Sequence, residues 1–466
     1  MKSTHKIIFS VGLIVLSLSA CVSRKYNAPT LSTEGLYRDV NTTDTISMAS
    51  MSWQSLFPDP DLQTLIKEGL DRNLDLKQAI ERIKIASATL AQSKSALFPS
   101  LQADISATDA KQSAKSLNFP PGININLNTQ SYRAQLSTSW EADIWGKLSS
   151  AKRSAYASLL QTDATKRAIQ TELIANIANA YYNLMALDKQ IKITEQTIVV
   201  RQKDVATLKA LKEAAIVNGA AVVQSEANVY GAQILLPDLK RQLREAENAL
   251  SVLLARPARS INRGTLDSQQ VYANLQTGVS AQLLENRPDV QAAEFGFRAA
   301  FEQTSVAKAY FYPALTLTAS GGLSSLKLKD FFDNSIFYNL IGGLTQPIFA
   351  QGRNKARLTT AKAQQQQAYY AFQKALLIGG QEVSDALYAY QTAGEKKSIR
   401  VNQIASLNKA VDFTNELLKY SSATNYTDVL TSEQSLLTAQ LNGVGDTLQQ
   451  LQAVVNLYRA LGGGWR

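Results

Sequence analysis

One sequence pattern appears twice in this chain at the same spacing, and that constrains the fold more than any other feature. Asn73-Leu74-Asp75-Leu76-Lys77-Gln78-Ala79 leads through a helical apolar pattern to Lys94-Ser95-Ala96-Leu97-Phe98-Pro99-Ser100-Leu101. In the second half, Arg287-Pro288-Asp289-Val290-Gln291-Ala292-Ala293 leads in the same way to Lys308-Ala309-Tyr310-Phe311-Tyr312-Pro313-Ala314-Leu315. In both halves 24 positions separate the aspartate from the proline, Asp75 to Pro99 and Asp289 to Pro313. Agreement of both strings and spacing marks a tandem duplication. The expected organisation is a leader over 1–20, an N-terminal segment over 21–60, a first repeat over 61–258, a connector over 259–284, a second repeat over 285–461 and a tail over 462–466.

Within each repeat, proline ends a helix and opens an extended segment, because it lacks the amide a helix interior needs and biases its predecessor away from helical geometry. Apolar residues then alternate through Leu101, Ala103, Ile105 and Ala107, and through Leu315, Leu317 and Ala319. This period predicts strands over about 99–112 and 313–322. Returning strands are expected over about 130–144 and 336–349, after polar loops over Lys115–Gln130 and Gly321–Ser335. Gly146 and Gly352 fit the sharp turns from strand back to helix. Beyond the first hairpin, no Gly or Pro occurs from Lys147 to Asn218; ~70 helical residues extend on the order of 100 Å. In the second half the helix from Arg353 meets only Gly379-Gly380 and Gly394 as interruptions before Asn442. Small polar breaks at Val217-Asn218-Gly219 and at Ser421-Ser422-Ala423-Thr424-Asn425 read as tips of helical hairpins. The fold class is therefore mixed α/β, two tandem units of helix, β-hairpin and long helix.

The N-terminus reads as an export signal: Lys2, His5 and Lys6 precede an apolar run from Ile7 to Leu18, closed by Leu18-Ser19-Ala20-Cys21. Small residues ending in the sole cysteine resemble a lipobox, which makes Cys21 the candidate lipid attachment site and outer-membrane delivery the expected outcome. Processing removes His5, the only histidine, and commits the only cysteine to lipid. That excludes Ser/His and Cys/His catalysis and leaves no zinc site, so neither metal, cofactor nor enzymatic activity is expected. Loss of Lys2 and Lys6 leaves 46 basic against 38 acidic residues, a net +8 without a basic block, so no nucleic-acid partner is expected. Only Met48, Met51 and Met185 remain as soft ligands, too few for a metal relay.

Strands of about ten alternating residues suit a bilayer-crossing barrel. The four helix–strand junctions each carry an aromatic, Phe98, Trp145, Tyr312 and Phe349, as a belt at one water–lipid boundary would require. Four strands cannot enclose a pore and open edges are not tolerated in lipid, so several copies must share one barrel; eight, twelve or sixteen strands are all possible on this argument. Glu141 and Asp143, two apart on a strand, are expected to share one face and line a wet lumen. Arg287 and Asp289 are expected to cap and orient the helix that opens the second repeat.

Further motifs run along the chain: Trp53-Gln54-Ser55-Leu56-Phe57 with Asp61-Leu62-Gln63-Thr64-Leu65-Ile66, Ser139-Trp140-Glu141-Ala142-Asp143-Ile144-Trp145-Gly146-Lys147, Gln346-Pro347-Ile348-Phe349 with Gly352-Arg353, and a Gly462-Gly463-Gly464-Trp465 ending. In this order they resemble the TolC-like outer-membrane factors, closest to their lipoprotein branch of efflux-pump channels, and the resemblance spans nearly the whole mature chain. It implies a homotrimer, a twelve-stranded transmembrane barrel continued by an α-helical periplasmic tunnel, and docking to a periplasmic adaptor protein that links it to an inner-membrane efflux pump. Passive conduction of drugs or other small toxic solutes follows; the alternatives are an exit duct for secreted protein and a non-conducting structural envelope lipoprotein. The resemblance also places a periplasmic gate at the second tip, with Tyr420, Asn425, Asp428 and Thr431 as candidates and the first tip, 215–222, packed against it. Thr431 stands where many relatives carry an acid, and Asn425 and Asp428 also suit a helix start.

Overall fold

A computed structural model describes residues 25–38, 46–116, 126–273, 275–420 and 426–466. These residues form two compact units, one drawn from 25–30, 83–162 and 293–372 and the other from 31–82, 163–292 and 373–466. The principal elements are α1 (Pro60–Arg72), α2 (Leu74–Ser95), β1 (Ser100–Lys111), β2 (Asn128–Ala142), α3 (Lys147–Glu213), α4 (Gly219–Leu253), α5 (Pro288–Ala309), β3 (Ala314–Ser325), β4 (Ile336–Thr345), α6 (Arg353–Tyr420) and α7 (Tyr426–Ala460). Among the described residues no helix is long and apolar enough to cross a membrane.

The first unit carries one antiparallel sheet in the order β1-β2-β3-β4. Its register sorts the side chains by chemistry. Leu101, Thr138, Ala319 and Leu340 stand in one row across the four strands, followed by Ala103, Leu136, Gly321 and Tyr338, then Ile105, Ala134, Leu323 and Ile336. The alternate rows are polar: Gln102, Ser137, Ser320 and Asn339, then Asp104, Gln135, Gly322 and Phe337. Because successive strand residues face opposite ways, one face of the sheet is apolar and the other predominantly polar. The apolar face is open, with Ile105 85%, Leu340 73% and Ile336 84% exposed. The helical segments of this unit meet through small residues and paired polar groups. Arg153 Nε donates to the buried Glu302 at 2.9 Å, and Ser154 Oγ donates to the Ala299 carbonyl at 3.0 Å.

The strand ends depart from the sequence expectation at three places. Strand β3 runs on past the expected end near 322 to Ser325; a Cβ on Gly322 would lie 2.0 Å from the Ala134 carbonyl oxygen, so glycine lets the strands approach. Strand β4 stops at Thr345, not Phe349, since Pro347 has no amide to continue the ladder. Strand β2 ends at Ala142 because Asp143 is drawn into the start of α3, described below. Nor do Gly379-Gly380 and Gly394 interrupt α6. Gly380 instead makes a notch against which the Leu36 backbone lies, with a Cβ there 2.8 Å from the Leu36 carbonyl oxygen.

The second unit has an apolar core around Leu62, Ile66, Ile174, Ile177, Tyr181 and Leu184, none more than 1% exposed. Beside it sits Arg287, 5% exposed. Its guanidinium grips Asp289 with two bonds, Nε at 3.0 Å and Nη2 at 2.6 Å, while Nη1 reaches Glu382 at 2.7 Å and the Ala460 carbonyl at 2.8 Å. Arg459 takes the other Glu382 oxygen at 3.1 Å and Glu172 at 2.9 Å. The role expected for Arg287, orienting α5, is thus part of a larger one, tying α5, α6 and the end of α7 together. The glycine tail serves this knot. Gly462, at φ +87°, passes so close to the Asn286 carbonyl that a Cβ would lie 2.3 Å from it, and Gly463 lies on the Tyr458 ring. Trp465 Nε1 then donates to that same Asn286 carbonyl at 2.9 Å. Replacing Arg287 with Met should leave Asp289 and the buried Ala460 carbonyl without their partner and Glu382 with Arg459 alone, and cost about 3 kcal/mol, visible as a lowered thermal midpoint of the purified protein in detergent.

Candidate functional site

Two regions hold the residues singled out by the sequence, the strand–helix junctions of the first unit and the helical tips of the second. At the first junction Gly146 adopts φ +69° and at the second Gly352 adopts φ +75°, both in the left-handed region where a Cβ is penalised. Trp145 stacks on Tyr312 with ring centroids 4.9 Å apart, and its Nε1 donates to the Pro313 carbonyl at 2.6 Å. Phe98 and Phe349 point away from protein, 72% and 85% exposed. The four junction aromatics therefore divide: one pair locks the two repeats to each other, and one pair stands free.

Of the two carboxylates expected to share a lumen face, only Glu141 lies on the strand, in the register row of Thr316 and Gly343 on the polar side. Glu141 pairs with Lys147 at 2.5 Å. Asp143 lies past the strand, where Oδ1 accepts from Leu148 N and Oδ2 from Ser149 N, each at 2.8 Å. Two orphan amides of the first turn of α3 are satisfied there, so Asp143 is a helix-capping group. Asp143 leaves the strand alternation because a carboxylate beside a helix start is captured by its free N–H groups.

At the first tip, α3 closes with Ile216 N bonding Leu211 O at 2.9 Å and Ala215 N bonding Lys212 O at 3.0 Å. This double reversal usually places glycine at the left-handed position, but here Ala215 occupies it at φ +56°. Asn218 then caps α4, its side chain accepting from Ala221 N at 3.1 Å. Leu208 and Val222 pack with Tyr426, Val429 and Leu430 at the start of α7, flanked by Leu211, Val217, Ala221 and Leu418. The start of α7 therefore lies against the first tip. Asp428 and Thr431 are both exposed on the first turns of α7, and Thr431 Oγ1 donates back to the Thr427 carbonyl at 2.8 Å. Asn425, the Tyr420 side chain and Cys21 lie outside the described residues.

One set of residues beside this tip was missed. Arg201, 3% exposed, donates to the Asn228 carbonyl at 2.8 Å and to Gln434 Oε1 at 2.9 Å. Near it are Asp204, the buried Glu433, and Tyr426 hydrogen-bonded to Ser225 Oγ at 2.8 Å. The signal was available: Arg201 and Asp204 fall between buried Ile198 and Leu208 on one helical stripe, and Glu433 between Val429 and Leu437 on another. Charges at core positions of a helix stripe call for a partner. Among the described residues no group of three or more His, Cys, Asp or Glu could hold a metal ion.

The profile of the outer membrane efflux protein family matches residues 65–256 and 279–463. The toluene efflux pump outer membrane protein TtgF of Pseudomonas putida is 30% identical over 435 residues, covering 92% of this chain and 88% of that protein. The probable outer membrane lipoprotein SilC of Salmonella typhimurium is 26% identical over 466 residues, 98% of each chain. The open state of the Neisseria gonorrhoeae outer membrane channel MtrE superposes with a TM-score of 0.84 at 26% identity, over 96% of this chain and 99% of that one. Glycine at position 215 should relieve the left-handed alanine and stabilise the first tip by about 1 kcal/mol, read as slower amide exchange over 208–222 in Ala215→Gly.

Proposed function

The chain belongs to the outer membrane efflux protein family and is an outer-membrane channel of an efflux pump, and from that premise we propose that three copies build one pore through which drugs or other small toxic solutes leave passively. The observation that carries this reading is the two-faced sheet with two free edges. The outer edges of β1 and β4 have no partner strand among the described residues. Unpaired backbone groups are not tolerated in hydrocarbon, so the edges must be joined, and β4 of one copy against β1 of the next closes a barrel without adding any element. Three copies supply twelve strands, the count the resemblance implies. In such a barrel the apolar rows through Leu101, Ala103 and Ile105 face lipid and the rows through Gln102 and Asp104 face water. Phe98 and Phe349, exposed at the ends of the hairpins, suit the interfacial belt.

The long helices α3, α4, α6 and α7 then form the periplasmic tunnel, and the tip is its gate, docked by a periplasmic adaptor that joins the channel to an inner-membrane pump. Asp428, exposed on the first turn of α7, would repeat as a ring about a threefold axis. Lipid on Cys21 is supported by the lipobox and by SilC, itself named an outer membrane lipoprotein. Tyr26, five residues later, packs on Phe301 with centroids 5.6 Å apart and on Phe297 at 6.0 Å, within the unit that carries the sheet. A methionine relay for a soft metal is not supported, since Met48 and Met185 are each 1% exposed.

Native mass spectrometry in mild detergent should show a trimer, and trimers should form steady conducting steps in planar bilayers. A predominant folded monomer would refute the shared barrel. In the assembled trimer, Asp428→Ala should lower cation preference and weaken block by multivalent cations, because a threefold ring multiplies one lost charge; unchanged selectivity and block would leave Asp428 a helix-start residue only.

A further inference from the structure

The buried polar cluster beside the tip has an unusual chemistry. Glu433 on α7 is 6% exposed, and neither carboxylate oxygen has an N–H or O–H donor as partner. The groups acting on it are Asp204 and Arg201 from α3. The contributions of α4 are the Ser225 hydroxyl and the Asn228 carbonyl, the first bonded to Tyr426 and the second to Arg201. The remaining charged pair bridging α3 and α4 here, Lys209 and Glu226, neutralises itself at 2.8 Å and is largely exposed. Arg201 spends its terminal nitrogens on Asn228 and Gln434, so one guanidinium faces two carboxylates without a direct bond from either nitrogen to Glu433.

Two ionised carboxylates only accept hydrogen bonds and repel each other in a medium poor in water. One proton between them turns repulsion into an O–H···O⁻ bond, among the stronger bonds a protein can make. Burial, then the hydrogen bond and charge of Asp204, push Glu433 up to about 8 against the opposing pull of Arg201.

We infer that Asp204 and Glu433 form a shared-proton site that clamps α3 to α7 beside the tips, closed while the pair holds its proton and loosened when the proton is lost to solvent. In the closed form Glu433 donates to the Asp204 carboxylate and Arg201 balances the one remaining negative charge. On deprotonation the second negative charge is buried against the first, and separation of α7 from α3 with entry of water relieves it. The apolar packing of Leu208, Val222, Val429 and Leu430 lies within a turn or two of this site and would open with it. The clamp rests on the geometry of these helices alone; its effect on conduction rests on the proposed gate at the tip.

The sign of the pH dependence follows from linkage. A buried acid that titrates higher in the closed form than when opened to water favours closure below its ordinary range, and that advantage is lost as pH rises toward the closed-form value. Hydrogen exchange of the purified protein in mild detergent, corrected for the intrinsic pH dependence, should show opening of 204–222 and 426–437 increasing by up to about tenfold per pH unit between about pH 6 and pH 8 and levelling above it. Glu433→Gln, which keeps the shape of the protonated acid, should flatten this profile. Asp204→Asn should move the levelling point to lower pH. A flat wild-type profile, or the wild-type profile persisting in Glu433→Gln or Asp204→Asn, would overturn the shared-proton site. Ion leak through bilayer-inserted trimers should follow the same profile; a flat leak beside an intact exchange profile would leave the clamp standing and refute the tip as the gate.

Discussion

A single buried guanidinium holds the second unit in register. Arg287 meets Asp289 at the start of α5, Glu382 in the middle of α6 and the final carbonyl of α7, so one side chain fixes three helices that are far apart in sequence. An apolar residue there could fill the space but could not specify which carbonyl lies where, because dispersion is indifferent to direction and a five-donor fork is not. Helices of 35 to 68 residues such as α4, α6 and α7 make this specificity necessary. A slip by one turn along a long helical stripe would bury much the same apolar area, so register must come from groups with direction.

The same logic recurs elsewhere. Glu302 is engaged by Arg153, Asp446 by Arg400 at 2.9 Å and Lys396 at 3.3 Å, and the Arg201 cluster occupies a stripe otherwise filled with leucine and valine. Each buried charge costs desolvation and is retained where a neighbour of opposite sign or a hydrogen bond compensates it. Glu433 differs because a second acid, Asp204, acts on it against the pull of Arg201, which makes it sensitive to protons where the other pairs are merely structural.

Much of the fold was legible because its signals are local. Proline at 99 and 313, alternation after each, and the absence of helix breakers over 147–218 depend on backbone chemistry that acts within a few residues. What escaped was decided across space. The stretch after Gly322 looks like a loop until Ala134, Arg133 and Tyr132 are seen opposite Leu323, Ser324 and Ser325, and Asp143 looks like a strand residue until the free amides of Leu148 and Ser149 are in place. Gly380 looks like a helix breaker until the Leu36 backbone fills its notch. At the candidate site, apolar continuity through Leu208 and Val222 could be read from spacing, whereas the meeting of Asp204 with Glu433 joins residues more than two hundred apart and left only the trace of charges on an apolar stripe.

The packing of Tyr26 between Phe297, Phe301 and Arg298 sets a length that bears on how the chain meets a bilayer. Tyr26 stands five positions after Cys21, and a fully extended chain over that interval reaches roughly 17 Å. Any acyl chains on Cys21 are therefore leashed to the sheet-bearing unit by less than the thickness of a hydrocarbon core, which is ≈ 30 Å. A leash this short cannot let the protein wander beneath a membrane in search of an insertion point. It would hold the hairpins at one leaflet, their apolar rows already at the surface they are to enter, and convert a three-dimensional encounter between copies into a search confined to a plane.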